Sequence, residues 1–161
     1  MSIALNPFDP VSDDEPLLRS IDGDLEHKLE NGKLRLASCS FNDRGRKPSV
    51  DRERLRANPL HACRKPEDGL ARLATRGVRA IDLGDIDTKT NKPKNSIPVD
   101  VVPDPISAPP NPEENLSHAL IEATATVSDG KFRRLKEKLA RLASEDVVLL
   151  PARYRLAEPS A

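Results

Sequence analysis

Proline is the residue that most limits how this chain can fold. The chain has 161 residues and 15 prolines, and seven of those prolines fall within residues 88–112. Proline lacks a backbone N–H and clashes with the preceding helical turn, so it is excluded from helix interiors and from central strands. The β-branched residues inside this proline-rich loop therefore predict one edge strand, at residues 99–102, between polar connections.

The rest of the composition predicts one domain with irregular ends. Apolar residues make up 37% of the chain and charged residues 32%, with no Trp, which is sparse for a compact core. A chain of this length has room for one core of ordinary size. We predict an irregular N-terminal arm over residues 1–16, a single α+β domain over residues 17–151, and a polar C-terminal tail over residues 152–161.

The charges balance, with 26 basic and 26 acidic residues. A chain without net charge has no overall field that would attract nucleic acid or an anionic membrane, so such binding would need a local patch. The longest apolar run, at residues 147–150, is far shorter than a bilayer-spanning helix. We therefore predict a cytoplasmic protein with no membrane partner, in which the thiols of Cys39 and Cys63 are reduced.

The spacing of the apolar residues predicts an α+β fold. Strands are predicted at residues 17–21, 33–41, 78–83, 117–127 and 147–150. Helices are predicted at residues 67–76 and 129–143, with a third, short helix at residues 24–31. Together these elements predict a small, mostly antiparallel sheet with two or three helices, of which the two longer ones pack on one face.

The predicted helix 129–143 is rich in cations that could lie along phosphate groups. Its candidate contact residues are Arg133, Arg134, Lys136, Lys138 and Arg141. Each phosphate contact would add to a salt-dependent affinity. The alternative is a solvated outer face, because Lys and Arg favour helices, and the scarcity of aromatic residues leaves little for base stacking. Nucleic acid is therefore the less favoured class of partner.

Three polar residues suggest an enzymatic alternative. Arg19 could bind a pyrophosphate, Ser40 could orient a ribose, and Glu122 could stabilise an oxocarbenium ion. If they converge, they would form a site of the ADP-ribosyltransferase type that acts on a dinucleotide such as NAD. The alternative is that Arg19 and Glu122 lie on the solvent face of a half-exposed sheet. Residue spacing indicates no metal site, no phosphate loop and no activated nucleophile, so we predict neither metal nor cofactor.

Three short segments follow one another in a characteristic order along the chain. They are the Leu-x-Arg strand "LLRSI", the Ser-x-x-Phe segment followed by "KPSVDRERL", and the "SHALIEA" strand that leads into a basic helix. In this order they resemble a family of short bacterial proteins of unassigned function. The resemblance implies a bacterial, cytosolic α+β domain that serves as an accessory in a multi-gene operon, and it supplies no catalytic residue. Ser49, Asp51 and His118 stand in these segments and are candidate binding residues.

The leading prediction is a non-enzymatic accessory or interaction protein that binds a larger protein partner encoded nearby. It is based on the low apolar content, on the lack of a catalytic motif, and on proline-rich segments that would lose little entropy on docking. The two rival hypotheses are the enzyme of the ADP-ribosyltransferase type, or an inactive relative of one, and the nucleic-acid-binding protein that uses helix 129–143.

Overall fold

The computed structural model describes residues 6–155, so residues 1–5 of the predicted arm and residues 156–161 of the predicted tail lie outside it. The strands are β1 (Pro16–Ile21), β2 (Lys28–Glu30), β3 (Lys33–Arg35), β4 (Ser49–Arg52), β5 (Gly69–Ala74), β6 (Asp85–Ile86), β7 (Pro93–Lys94), β8 (Val99–Pro103), β9 (His118–Ala123) and β10 (Val147–Leu149). The α-helices are α1 (Thr75–Arg79) and α2 (Asp129–Ser144).

Six of these strands form one antiparallel sheet, in the order β10-β5-β1-β4-β9-β8. β8 lies at an edge, as its prolines predict. β1 pairs with β5 along its whole length, but it pairs with β4 at only two positions, Leu17–Arg52 and Leu18–Asp51. Beyond these positions β1 and β4 separate, so the Ser49 end of β4 has no ladder partner in β1.

The helix α2 covers one face of the sheet, which we call the core face. Ser128 caps the helix, because its hydroxyl accepts a hydrogen bond from the backbone N–H of Lys131 at 3.3 Å. Phe132, Leu135 and Leu139 form its buried stripe and join the main hydrophobic core. The α+β class and the mostly antiparallel sheet are confirmed. The predicted packing of two or three helices is not confirmed, because α2 is the one long helix among the described residues.

The predicted helix 67–76 is wrong, because this stretch forms the strand β5. Its leucines fit helical spacing, yet they point to opposite faces of a strand that is buried on both sides. Leu70 packs with Leu18 and Ala62, whereas Leu73 belongs to the main core. Glycine is required at position 69, because a Cβ there would lie 2.4 Å from the carbonyl oxygen of Leu149 in β10.

Four further elements differ from the predictions. The strand predicted at 117–127 ends at Ala123. The strand predicted at 33–41 ends at Arg35, and Ser38–Phe41 forms a 3₁₀ turn. The short helix predicted at 24–31 is replaced by the hairpin β2–β3, whose turn residues Asn31 and Gly32 both have positive φ angles, 52° and 77°, as Asn-Gly hairpin turns require. The strand predicted at 78–83 begins inside α1 and then makes one isolated bridge, from Asp82 to Pro98.

The described part of the N-terminal arm, residues 6–15, is irregular but packed against the domain. We call it the N-terminal segment. Arg52, which is fully buried at 0% exposure, donates to both carboxylate oxygens of Glu15 at 2.6 and 3.1 Å. Its guanidinium also donates to the carbonyl oxygens of Pro7 and Asp9. A buried arginine therefore holds this irregular segment in place.

Neither α-helix within residues 6–155 has the length and the apolar character that a bilayer crossing requires.

Candidate functional site

The face of the sheet opposite α2 carries the candidate site, and its floor is formed by β4 and β9. Asp51 is directly opposite His118 in the β4–β9 ladder, and Ser49 lies two positions before Asp51 on the same face. These three residues line one cleft. All three candidate binding residues of the segments "KPSVDRERL" and "SHALIEA" thus come together.

Two irregular segments form the walls of this cleft, which we call the polar cleft and which has a volume of about 390 Å³. The first wall follows β4 and contributes Arg56, His61 and Arg64. The second wall is the end of the loop between β8 and β9 and contributes Glu113, Glu114 and Asn115. One wall is therefore basic and the other mainly acidic, over a floor of hydrogen-bonding side chains.

Asp51 joins the two walls. Its Oδ2 accepts hydrogen bonds from Nε and Nη2 of Arg56, at 3.1 and 2.7 Å. Its Oδ1 accepts from Nδ2 of Asn115 at 2.9 Å. With a residue exposure of 9%, this carboxylate is engaged on both oxygens, so it organises the cleft and has no free oxygen positioned as a general base.

Ser49 lies where the polar cleft meets the gap between β1 and β4. Its Oγ is 2.9 Å from Nη2 of Arg64 and 3.4 Å from Nη1 of Arg19, and it accepts from both. Its backbone N–H donates to Oδ2 of Asp43 at 2.8 Å, and its carbonyl oxygen accepts from Arg19 at 2.7 Å. The backbone N–H and carbonyl oxygen of Ser49 therefore bond to the side chains of Asp43 and Arg19, in the place of a backbone partner in β1.

Arg19 and Asp43 form the ion pair that fills this gap, at 2.6 Å. The Arg19 guanidinium also donates to the carbonyl oxygen of Ser40 and lies 4.9 Å from the centroid of the Phe41 ring. Burial alone would raise the pKa of Asp43, but the hydrogen bonds and charge of Arg19, with the Ser49 amide, outweigh it and hold that pKa below its ordinary value of 3.8. The pair is structural, since the Arg19 side chain is only 8% exposed.

His118 connects the floor of the polar cleft to the proline-rich loop. Its Nδ1 lies 3.0 Å from the carbonyl oxygen of Asp104 and 3.1 Å from that residue's carboxylate. Both of these atoms are acceptors, so we assign the proton to Nδ1. Within the described residues, the imidazole makes no hydrogen bond to Ser49 Oγ. Ser49 and His118 therefore do not form a nucleophile with an adjacent general base.

The structure does not bring Arg19, Ser40 and Glu122 together. Arg19 leaves β1 between Leu17 and Ile21, fills the gap between β1 and β4 and also lines the polar cleft. Ser40 is buried in the 3₁₀ turn next to it. Glu122 shares the face opposite α2 with His118 by strand alternation, and its carboxylate is 3.3 Å from the ammonium of Lys47. Arg19 and Ser40 line one cavity, whereas Glu122 lines another.

The five candidate cations of α2 fall into two groups. Arg134 is engaged by the carbonyl oxygens of Leu83 and Gly84, and Lys136 donates to Oδ1 of Asn42 and lies over the Phe132 ring. The other three are exposed to solvent, namely Arg133, Lys138 and Arg141. Only this second group is available to a partner.

The described residues offer no metal centre, and the thiol of Cys63 is not activated. Among residues 6–155, no group of three His, Cys, Asp or Glu side chains could hold a metal ion. Burial, and secondarily the charge of Asp68, raises the pKa of the Cys63 thiol, which disfavours the nucleophilic thiolate.

Sequence reasoning missed the residues of both walls. Arg56 is only five positions after Asp51, which is a weak signal for an ion pair. Asn115 is 64 positions from Asp51, and nothing in its local sequence indicates that contact. Comparison of the chain with family models, with curated proteins and with solved structures found no match.

Proposed function

We propose that this protein is a non-enzymatic accessory protein, and that a segment of a larger protein partner binds in its polar cleft. The observation that carries the proposal is the state of Asp51. Its two oxygens accept three hydrogen bonds from Arg56 and Asn115, so the one buried carboxylate of the cleft is used to hold the walls together. A site built in this way favours binding over proton transfer.

The charges at the rim favour a polypeptide as the occupant. Arg64 and His61 are exposed on one wall, and Glu113 and Glu114 are exposed on the other. A polyanion would be repelled by the glutamates, whereas a peptide can offer side chains of both signs. Its backbone supplies the donors and acceptors that match Ser49 and Arg64. The volume of about 390 Å³ lies in the range of binding pockets, roughly 300–1,000 Å³.

The proline-rich wall supports the same proposal. Ile106 and Asn115 exchange backbone hydrogen bonds at 2.9 and 2.8 Å, which closes the loop that carries Glu113 and Glu114. A closed, proline-rich loop has few conformations to lose when a partner docks. The resemblance to short bacterial proteins supports a bacterial, cytoplasmic setting and a partner encoded nearby.

The test is site-specific photo-crosslinking in cells that carry the gene in its natural setting. A photoreactive amino acid replaces His61 in one variant and Glu114 in another, so that each wall of the polar cleft is probed. The control replaces Ile86, which is 62% exposed in the hairpin β6–β7, outside the cleft. We expect one partner protein to be crosslinked from both walls and not from Ile86.

Charge reversal of one wall separates the cleft from the rest of the surface. Arg64→Glu should abolish the crosslink, because the basic wall would become acidic. Arg44→Glu is the matched control, since Arg44 is exposed and does not line the cleft, and it should leave the yield unchanged. Equal yields from Ile86, or no crosslink from either wall, would overturn the proposal.

A further inference from the structure

The cations of this chain are unevenly paired. Some arginines are matched by carboxylates: Arg72 binds Glu53 and Asp146, and Arg79 binds Asp13 and Asp100. On the outer side of α2 and on the neighbouring strand β3, four exposed cations have no carboxylate partner among the described residues. They are Arg133, Lys138 and Arg141 of α2 and Lys33 of β3, and we call them the basic surface.

We propose that the basic surface binds the phosphate backbone of duplex nucleic acid. The balanced net charge of the chain does not reveal this patch, in which four cations outnumber the two acids of the adjoining groove, Glu137 and Glu145. A local cluster of unpaired cations is sufficient for binding, since phosphate contacts release condensed counterions whatever the net charge of the protein. This surface is separate from the polar cleft, so the proposal does not depend on the proposed function.

The spacing along α2 fits a duplex. Arg133 and Arg141 lie eight residues apart on one side of the helix, which is about 12 Å at 1.5 Å per residue. That distance matches the major-groove width of roughly 12 Å, so the two arginines can contact phosphates on both rims. Lys33 and Arg141 line a shared groove between the hairpin β2–β3 and α2, and Lys33 extends the contact beyond the helix.

Two observations separate this occupant from other anionic ones. An anionic membrane would require a free apolar helix face, but Phe132, Leu135 and Leu139 are buried in the core. Single-stranded nucleic acid would require aromatic side chains for base stacking. The four residues of the basic surface are all Arg or Lys, and the Phe132 ring of α2 is buried. Of the three anionic occupants, the phosphate backbone of a duplex is the one that the basic surface fits.

Glu137 supplies a sharp internal test. It lies between Arg133 and Arg141, four residues from each, and its side chain is exposed. A carboxylate at this position repels phosphate, so Glu137→Gln should tighten binding, whereas Arg133→Gln and Arg141→Gln should weaken it. A merely solvated helix face would show none of these opposite effects.

The experiment is fluorescence anisotropy of the full chain with a short labelled duplex of arbitrary sequence, titrated at several salt concentrations. Four phosphate contacts predict a slope of log K against log[salt] of about −3 to −4, and a loss of affinity of roughly a hundredfold between ~50 and ~200 mM salt. Each arginine substitution should make the slope shallower by about 1.

Lys94→Gln is the control, because Lys94 is an exposed lysine on β7, outside the basic surface. The affinity of this variant for the duplex should equal that of the unchanged protein. Failure to bind at ~50 mM salt would overturn the proposal. So would a Lys94→Gln variant as weak as Arg141→Gln. Equal affinity for polyglutamate of the same charge would assign the surface to an acidic protein instead.

Discussion

The N-terminal segment and the proline-rich loop have similar composition but opposite structural roles. Both are irregular, polar and interrupted by proline. The N-terminal segment buries Val11 and Glu15, at 2% and 3% exposure. The proline-rich loop is largely exposed outside β8, and its hydrogen bonds are mainly local, such as the exchange between Ile106 and Asn115. Composition alone therefore does not decide whether an irregular segment packs.

The difference between them is a buried charge. Arg52 projects from β4 onto the core face, where an unpaired guanidinium would be costly. Glu15 and the carbonyl oxygens of Pro7 and Asp9 satisfy it. Arg19 is paired with Asp43 and with the carbonyl oxygens of Ser40 and Ser49, although its Nε has no hydrogen-bond partner among the described residues. Each of these arginines thus requires an irregular segment to stay folded over it, whereas nothing comparable fixes the tip of the proline-rich loop.

The largest effect should come from removing the buried anchor. Arg52→Met leaves the buried Glu15 with only the partly exposed Arg54 beside it, so we expect a loss of about 3–5 kcal/mol in the free energy of unfolding, measured by urea denaturation. Proteolysis should then cleave the N-terminal segment first. The double variant Arg52→Met with Glu15→Leu should regain much of the loss, because no unpaired charge remains buried.

Arg54 is the matched control for that experiment. Its Nε also lies near Glu15, at 3.2 Å from Oε1, but its side chain is 36% exposed. Arg54→Met should therefore lower the free energy of unfolding by less than about 1 kcal/mol. If Arg52→Met were no more destabilising than Arg54→Met, the anchor would not be what distinguishes the N-terminal segment.

A smaller effect is expected from acid. Burial alone would raise the pKa of Glu15, but the hydrogen bonds from Arg52 and from the Ser12 amide outweigh it and hold the pKa below the ordinary value of 4.5. A carboxyl with a lowered pKa in the folded state stabilises the fold fully above 4.5, and this contribution is lost as the pH falls through the folded pKa. The N-terminal segment should therefore loosen only in acid.

The Ser12 amide reports this titration directly, because its N–H donates to Oε2 of Glu15 at 3.1 Å. We expect its NMR shift to titrate with a midpoint below 4.5. The amide of Ile106, whose partner is the backbone of Asn115, should not follow the same curve. A Ser12 midpoint at or above 4.5 would contradict the assigned role of Arg52.

The parts of the fold that follow a single period were predictable. The stripe of α2 and the strands β1, β8 and β9 follow from apolar spacing and proline placement. The strand β5 was not predictable in this way, because Leu70 and Leu73 are buried on opposite faces and their spacing also fits a helix. The burial of Arg52 was not predictable either. Arginine is almost never fully buried unless it is paired, and the partner Glu15 lies 37 positions away in the sequence.

The candidate site shows the same limit. Ser49, Asp51 and His118 could be selected because they stand in the segments "KPSVDRERL" and "SHALIEA", and the antiparallel register of β4 and β9 then places them on one floor. The walls come from irregular segments, so Arg64 and Asn115 carry no periodic signal. Glu122 was placed with Arg19 because the face of each strand was not fixed by the sequence, and a shift of one residue moves a side chain to the other face.

The smallest effect on stability should come from the proline-rich loop, where deletion of residues 108–111 removes only exposed side chains. Loop closure depends weakly on length, so the free energy of unfolding should change by less than about 1 kcal/mol, as urea denaturation would measure. The Ile106–Asn115 bridge lies outside the deletion and should persist. Crosslinking from the position of Glu114 should nevertheless fall, because the wall that carries it is displaced. A loss as large as that of Arg52→Met would mean that the loop is anchored like the N-terminal segment, and the contrast between the two would fail.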